Sequence, residues 1–382
     1  MAAIDQILDQ KKPLKTIDRI IELGKRGQAL LLSGRPGIGK FALARYAARR
    51  FLCLADNSGC GVCSSCRSIE KNSHPDFLLT FPFPNLAGEA RKSTVFHFSD
   101  PISSEARFSN DSLSEVNRFL EEKAADPYRV ITFKKKSNIP VEVVRDLIKA
   151  VAKRPLLGNR RAIIVCDVDQ MAFGAADLFL KTVEEPPEDS LIILTTRATQ
   201  ALPPTLLSRT INIPMTPVAS DQIRSYLKKQ GAEGELEYYI NYGAGSPGLA
   251  FQAYEDGLIE RRDQLWQIFS EFLKERALPQ AIEKLYQRYM WADFDEVRAD
   301  FDILCKILRD VYIAKLGLDK NLINIDIKNI INSSARHAPA AGILQKWFAV
   351  LARASRVHQV NNVAADIAFV GAFIDFDRVA RI

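Results

Sequence analysis

No apolar run in this sequence is long enough to cross a bilayer, and the opening residues, MAAIDQILDQKK, lack the apolar stretch of a secretory signal. Both absences argue against insertion or export, so a soluble, cytoplasmic chain with no membrane partner is expected. An excess of one charge is missing as well. The 52 Lys and Arg stand against 46 Asp and Glu, a net charge of +6, and the cations are spread along the chain. That balance permits proximity to nucleic acid without specifying it. What remains is an ordinary globular composition, 47% hydrophobic and 26% charged over 382 residues, enough for two or three compact units.

The stretch that organises the chain is GRPGIGKF, from Gly34 to Phe41. In a phosphate loop the glycines let backbone N–H groups curl around phosphates, the lysine reaches the β- and γ-phosphates, and a Ser or Thr hydroxyl holds magnesium. Gly34, Gly37, Gly39 and Lys40 are present, but Phe41 stands at the hydroxyl position, and an aromatic ring cannot ligate magnesium. The context is right for the motif: Ala29 to Leu32 reads as a strand before it, and FALARYAARRFL as a helix after it. A second apolar run, Ala162 to Cys166, reads as a buried parallel strand delivering Asp167 to the sheet edge. The next residue, where a water-activating glutamate is needed, is Val168. A nucleotide-binding scaffold is therefore expected, with its hydrolytic chemistry incomplete and its binding of ATP left open.

Four of the six cysteines fall within residues 53–66: Cys53, Cys60, Cys63 and Cys66. Four thiolates suffice for tetrahedral zinc, and Gly59 and Gly61 permit tight turns around a metal. Disulfides conflict with a cytoplasmic chain, and the serine-rich turn fits a closed structural zinc site better than an iron–sulfur centre. Metal affinity would then fold a loop too small to hold a core of its own. His74, which follows, is read as a hydrogen-bonded structural residue rather than a ligand. Cys166 and Cys305 are read as small hydrophobes.

Between residues 81 and 137 prolines, serines and mixed charge break the periodicity, apart from a short helix LSEVNRFLEEKAA. A largely exposed insertion is expected there, with Lys134 to Lys136 as a solvated turn. Beyond it strands and helices alternate again: a helix from about Asn138 to Lys153, the Ala162 strand, the helix AADLFLKTVE closed by Pro186 and Pro187, and a strand from Leu191 to Thr196. The expected fold is an α/β P-loop module, a parallel sheet covered by helices on both faces. From about Ile259 to the end the pattern is helical, and Trp347 and Phe369 read as packing residues.

His74-Pro75-Asp76, IPVEVVRDL, AIIVCDVDQM, FLKTVEEPP at 179–187, ILTTRATQALPPTLLSRT at 193–210 and GSPG at 245–248 occur in series. Together they resemble bacterial clamp-loader subunits of the AAA+ class, most closely the delta-prime family of DNA polymerase III, over residues 14–80 and 138–250. The resemblance implies an AAA+ domain over 1–213, carrying the zinc module (53–66) and the insertion (81–137), then a helical lid over 214–257 and a helical collar over 258–382. It also implies a hetero-pentameric ring with gamma/tau and delta subunits that places a sliding clamp on primed DNA. ATP sites in such a ring take a phosphate loop from one subunit and an arginine finger from its neighbour. The finger lies in a Ser-Arg-Cys motif, matched here by Ser208-Arg209-Thr210, so Arg209 is the candidate trans-acting finger. A guanidinium suits that task because it is permanently charged and forks onto phosphate oxygens. Phe41, Val168 and Ser246-Pro247-Gly248, which lacks the second-sensor arginine of active subunits, together imply a stator without ATPase activity of its own.

Two other readings compete. An autonomous ATPase would recruit Asp169, two residues beyond Asp167 and on the same face if the strand continues. A nucleic-acid adaptor would use the zinc loop and Lys134 to Lys136, with binding that falls steeply as salt rises.

Overall fold

A computed structural model describes residues 7–23, 27–55, 58–84, 96–97, 110–131, 133, 137–275, 277–290, 292, 294–361 and 363–381. They form two compact units: Met1–Tyr226 with Gly245–Leu249, and Leu227–Ala244 with Ala250–Ile382. The candidate site belongs to the first. Among the described residues no helix is long and apolar enough to cross a membrane.

The first unit is built on a sheet whose strands are β1 (Gln28–Ser33), β2 (Phe77–Thr80), β4 (Phe96–His97), β6 (Arg161–Val165), β7 (Ser190–Thr196) and β8 (Ile211–Pro214). Their order is β4-β2-β6-β7-β1-β8. All neighbours pair in parallel except β4, which runs antiparallel along the edge of β2. A small ladder joins β3 (Phe83–Pro84) to β5 (Ser137–Asn138). Strands β1, β6 and β7 are buried almost throughout, which explains why their sequences are continuous apolar runs rather than alternating ones. Helices Lys11–Glu22, Lys40–Leu52, Val141–Val151 and Ala175–Glu184 add apolar faces to one core, with Ile17, Leu43, Ala47, Leu147, Phe179 and Val183 buried.

The insertion departs from expectation. A helix spans Asn110–Ala125, and its Val116 and Phe119 are buried in the main core. The Phe119 ring stacks on Phe81 at a centroid distance of 3.9 Å. The described part of this segment is therefore not a largely exposed loop: apolar residues spaced through a polar sequence bring it onto the sheet. Lys134 to Lys136 lie outside the described residues.

The His74-Pro75-Asp76 motif is structural. His74 Nδ1 accepts the Asp76 N–H at 3.0 Å, and burial lowers the pKa of its ring, so the neutral imidazole suits the role. Asp76 is fully buried, paired to Arg161 at 3.1 Å, and accepts the backbone N–H groups of Leu156 and Leu157 at 2.7 and 2.6 Å. Arg161 in turn donates to the carbonyls of Ala150, Lys153 and Arg154. One buried pair thus fixes the turn that feeds β6. Asp76→Ala leaves the guanidinium buried without its counter-charge and is expected to cost about 3–5 kcal/mol. Urea unfolding of the variant checks this; a loss below about 1 kcal/mol would show that the pair is dispensable.

The second unit is helical. Helices Leu258–Glu275, Leu278–Tyr289, Phe294–Lys315, Ala341–Asn361 and Ala365–Ala380 pack around Trp347, Phe269, Phe272, Phe301, Phe369 and Phe373, all buried. Trp347 Nε1 donates to Phe376 O at 3.1 Å, which satisfies the one polar atom of that ring. The buried Arg262 is neutralised by Asp326 at 2.6 Å and lies 4.7 Å from the Tyr238 ring centroid. These aromatic side chains pack against one another in the core of this unit.

Candidate functional site

The phosphate loop connects β1 to helix Lys40–Leu52, with Gly34, Gly37 and Gly39 extended or at positive φ as the turn demands. Helix N-termini of this kind attract phosphate through their unpaired N–H groups. Here other parts of the chain pack closely against the loop's glycines. A Cβ on Gly39 would lie 2.6 Å from the Tyr128 ring, and one on Gly37 would lie 2.8 Å from Val130 Cγ2, Ser246 Oγ and Leu249 N. Ser246 Oγ donates to Pro36 O at 2.6 Å, and Gly248 N donates to Gly37 O at 3.0 Å. The missing side chains of these glycines let other parts of the chain approach the loop backbone closely.

Tyr128 is held in place from three directions. Its hydroxyl accepts Leu8 N at 2.8 Å, its backbone N–H donates to Asp126 Oδ1 at 3.0 Å, and the other Asp126 oxygen accepts Tyr226 OH at 2.5 Å. Burial raises its phenol pKa to about 12, so it remains neutral. Lys40, only 7% exposed, turns back on its own loop and donates to Gly34 O at 2.7 Å and Arg35 O at 2.9 Å. Burial, opposed by the Asp167 charge, lowers its pKa to about 8. Two of its three ammonium hydrogens are engaged by carbonyls of its own loop.

Phe41 is buried in the core, and the Lys123 ammonium sits 5.4 Å from its ring centroid. Lys123 also donates to Arg129 O at 2.5 Å, and Arg45 Nη1 caps the carbonyls of Lys123 and Ala124. Burial lowers the Lys123 pKa, with Cys166 and Asp167 acting in the opposite sense. Lys123 thus stands beside the ring that takes the place of the magnesium-holding hydroxyl. Lys123 and Tyr128 had no motif to announce them. The only sequence signal was the apolar and aromatic content of residues 116–133 within an otherwise polar segment.

Asp167 follows the end of β6 in a left-handed conformation (φ 49°), and its N–H donates to Thr195 Oγ1 at 3.0 Å. The chain then turns through a 3₁₀ segment, Val168–Gln170, so strand alternation does not extend to Asp169. This removes the geometric basis for Asp169 as a substitute base. Asp169 instead accepts Thr196 Oγ1 at 2.7 Å and Arg197 N at 3.1 Å, and pairs with Arg197 Nε at 3.2 Å. Val168 is buried and has no proton to exchange.

Arg209 lies just past helix Pro204–Ser208, with its side chain 32% exposed. Its Nε is 2.9 Å from Glu184 Oε2, Nη2 donates to Glu184 Oε1 at 3.3 Å, and Nη1 donates to Thr205 O at 3.1 Å.

Cys53, Cys60, Cys63 and Cys66 converge, with their Sγ atoms all within 4.8 Å of one another. A single tetrahedral ion with metal–sulfur bonds of about 2.3 Å separates its thiolates by roughly 3.8 Å, so the cluster is near the size one ion requires. The N–H groups of Cys63 and Cys66 each approach the preceding cysteine's Sγ at 3.4 Å, donors that stabilise thiolate charge. Gly59 and Gly61 adopt positive φ at the turns. All four cysteines are free thiols, and His74 is outside the group. The residues fit a closed four-cysteine metal site. It stands at the far end of helix Lys40–Leu52, about 18 Å along the axis from the loop, out of reach of any phosphate there.

The family described as DNA polymerase III, delta subunit, matches residues 9–219, and its C-terminal domain matches residues 256–377. The chain belongs to the delta-prime family of DNA polymerase III clamp-loader subunits. It is 27% identical over 264 residues to the delta-prime subunit of Pseudomonas aeruginosa, covering 67% of this chain and 65% of that one. The Bacillus subtilis delta-prime subunit is 24% identical over 366 residues, 93% and 92% of the two chains. The tau subunit of Escherichia coli is 25% identical over 224 residues, 58% of this chain and 27% of tau. Among solved structures, a DNA polymerase III gamma subunit-related protein from Thermotoga maritima aligns over 98% of this chain and 100% of its own, with 19% identity and a TM-score of 0.43.

Proposed function

We propose that this chain is a cytoplasmic stator of the DNA polymerase III clamp loader: it hydrolyses no ATP, and it lends Arg209 to the ATP site of a neighbouring subunit. Its partners are gamma/tau and delta subunits in a five-membered ring, acting on the sliding clamp and primed DNA. The reading is supported by the phosphate loop's contacts with its own chain. Tyr128, Val130 and Ser246 pack against Gly37 and Gly39, Lys40 donates to two carbonyls of its own loop, and Phe41 is buried at the hydroxyl position. A chain so built gains nothing from ATP of its own, whereas Arg209 is exposed enough to meet a neighbour. Zinc is the proposed metal of the four-cysteine site, with a structural role, because a closed tetrahedral set of thiolates leaves no open position for chemistry.

The test compares two variants in a loader reconstituted with its partner subunits. Lys40→Ala is expected to leave ATP turnover unchanged within twofold, and Arg209→Ala to depress it while the ring still assembles. Calorimetric titration of the wild-type chain with MgATP to about 1 mM should show no binding, meaning an affinity weaker than roughly 4 kcal/mol. Magnesium-dependent turnover by the chain alone, abolished by Lys40→Ala, would establish the autonomous ATPase in place of the stator.

A further inference from the structure

We infer that Glu184 is a positioning residue for the Arg209 guanidinium, an inference that rests on Arg209 acting in a neighbour's ATP site. Glu184 is the last residue of helix Ala175–Glu184, and its place is set by backbone rather than by its own side chain. Glu185 N closes the helix by donating to Lys181 O at 3.0 Å, and Pro186 and Pro187, with φ fixed by their rings, carry the chain away. The proline turn is itself pinned, since Gly27 N donates to Glu188 O at 2.9 Å and a Cβ on Gly27 would collide with Pro186 O. The backbone from which the Glu184 side chain departs is therefore fixed, and the carboxylate reaches the guanidinium from a constant origin.

The contacts divide the guanidinium into two edges. Glu184 faces the Nε and Nη2 edge at 2.9 and 3.3 Å, and Thr205 O takes an Nη1 hydrogen at 3.1 Å. Nη1 also approaches Ser208 Oγ at 3.5 Å, which leaves one Nη2 hydrogen for an acceptor outside the chain. As a contribution to stability, a pair whose side chains are 32% and 52% exposed is worth little. Its worth lies in geometry. An arginine has four rotatable bonds, and a planar fork that must meet phosphoryl oxygens loses rate steeply when misplaced by as little as 1 Å. Glu184 fixes the plane of the fork before the neighbour arrives, so less rotamer freedom is lost when the interface closes.

The experiment measures single-turnover and steady-state ATP hydrolysis in the assembled loader for Glu184→Ala, Glu184→Gln, Arg209→Ala and the Glu184→Ala/Arg209→Ala pair. Thermal melting and ring assembly are followed on the same samples. Glu184→Ala is expected to slow hydrolysis at the site that Arg209 serves roughly tenfold, read as the slow phase of a single turnover, with KM for ATP unchanged. Glu184→Gln, whose amide oxygen still accepts from Nη2, should recover most of that loss. The double variant should be no slower than Arg209→Ala alone, because a positioning residue has nothing to position once the arginine is gone. If Arg209→Ala is slow and Glu184→Ala is as fast as wild type, or faster, the positioning role is overturned and the stator reading stands. Additive losses in the double variant also overturn it, since they place Glu184 on a separate path. If Arg209→Ala itself has no effect, the finger assignment falls, and this inference with it.

Discussion

Arg209→Ala is expected to slow hydrolysis at the one ATP site that receives this arginine about 10³-fold, the lower end of what a trans-acting arginine contributes to phosphoryl transfer. The transferring group carries its charge on oxygens with little covalent help from the protein, so a permanently charged, forked donor accounts for a large share of the barrier reduction. The loss should appear in kcat at one interface of the ring, with the chain's fold unchanged, because the Glu184 pair it breaks is half-exposed. Arg209→Lys should rescue little, since a single ammonium cannot reproduce the fork. Single-turnover hydrolysis with the neighbouring subunits otherwise intact is the decisive measurement. A wild-type rate in Arg209→Ala would leave the exposed arginine as an ordinary surface ion pair.

The architecture could be anticipated where local pattern and tertiary context agree. The runs at 29–32, 162–166 and 191–196 are uncharged, the last two rich in β-branched residues, and they form three adjacent strands of the sheet. The expected gaps in the nucleotide chemistry each rest on one residue type at a fixed offset: Phe41 without a hydroxyl, Val168 without a carboxylate. What packs against the loop was not legible. Tyr128 reaches Gly39 only because helix Asn110–Ala125 docks on the sheet through Val116 and Phe119, a long-range event with no local signature. The Asp169 argument failed for a related reason. It assumed the strand continued, whereas the left-handed Asp167 ends the alternation and turns Asp169 towards Thr196 and Arg197. Cysteine spacing, by contrast, is short-range information, and the four thiols at 53–66 do converge.

That convergence gives the other large expected effect. The purified chain should carry one zinc ion, released when the thiols are modified, and removing it should lower the melting temperature by roughly 10 °C. Structural zinc in small motifs binds with about 10–16 kcal/mol, and this free energy stands in for the core that a fourteen-residue loop cannot build. Only part of it is coupled to the rest of the unit. Helix Ser64–Glu70 buries Ile69 in the main core, Ser65 Oγ donates to Leu52 O at 2.7 Å, and Glu70 lies 3.8 Å from Arg49. Loss of the metal frees Cys66, which is fully buried, and loosens those contacts at the C-terminal end of helix Lys40–Leu52. A coupled loss of about 3 kcal/mol corresponds to that shift, at 2–4 °C per kcal/mol for a unit of this size. Cys66→Ser should reproduce it, because a hydroxyl neither ligates zinc well nor packs as the sulfur does. The Arg209 finger should survive the treatment in an assembled ring, since the module and the finger share no described contact. Iron in place of zinc would redirect the reading of the module towards redox chemistry. No metal at all, with an unchanged melting temperature after thiol modification, would mean that the four cysteines pack as hydrophobes and that the loop folds through Ile69 and Ser65 alone.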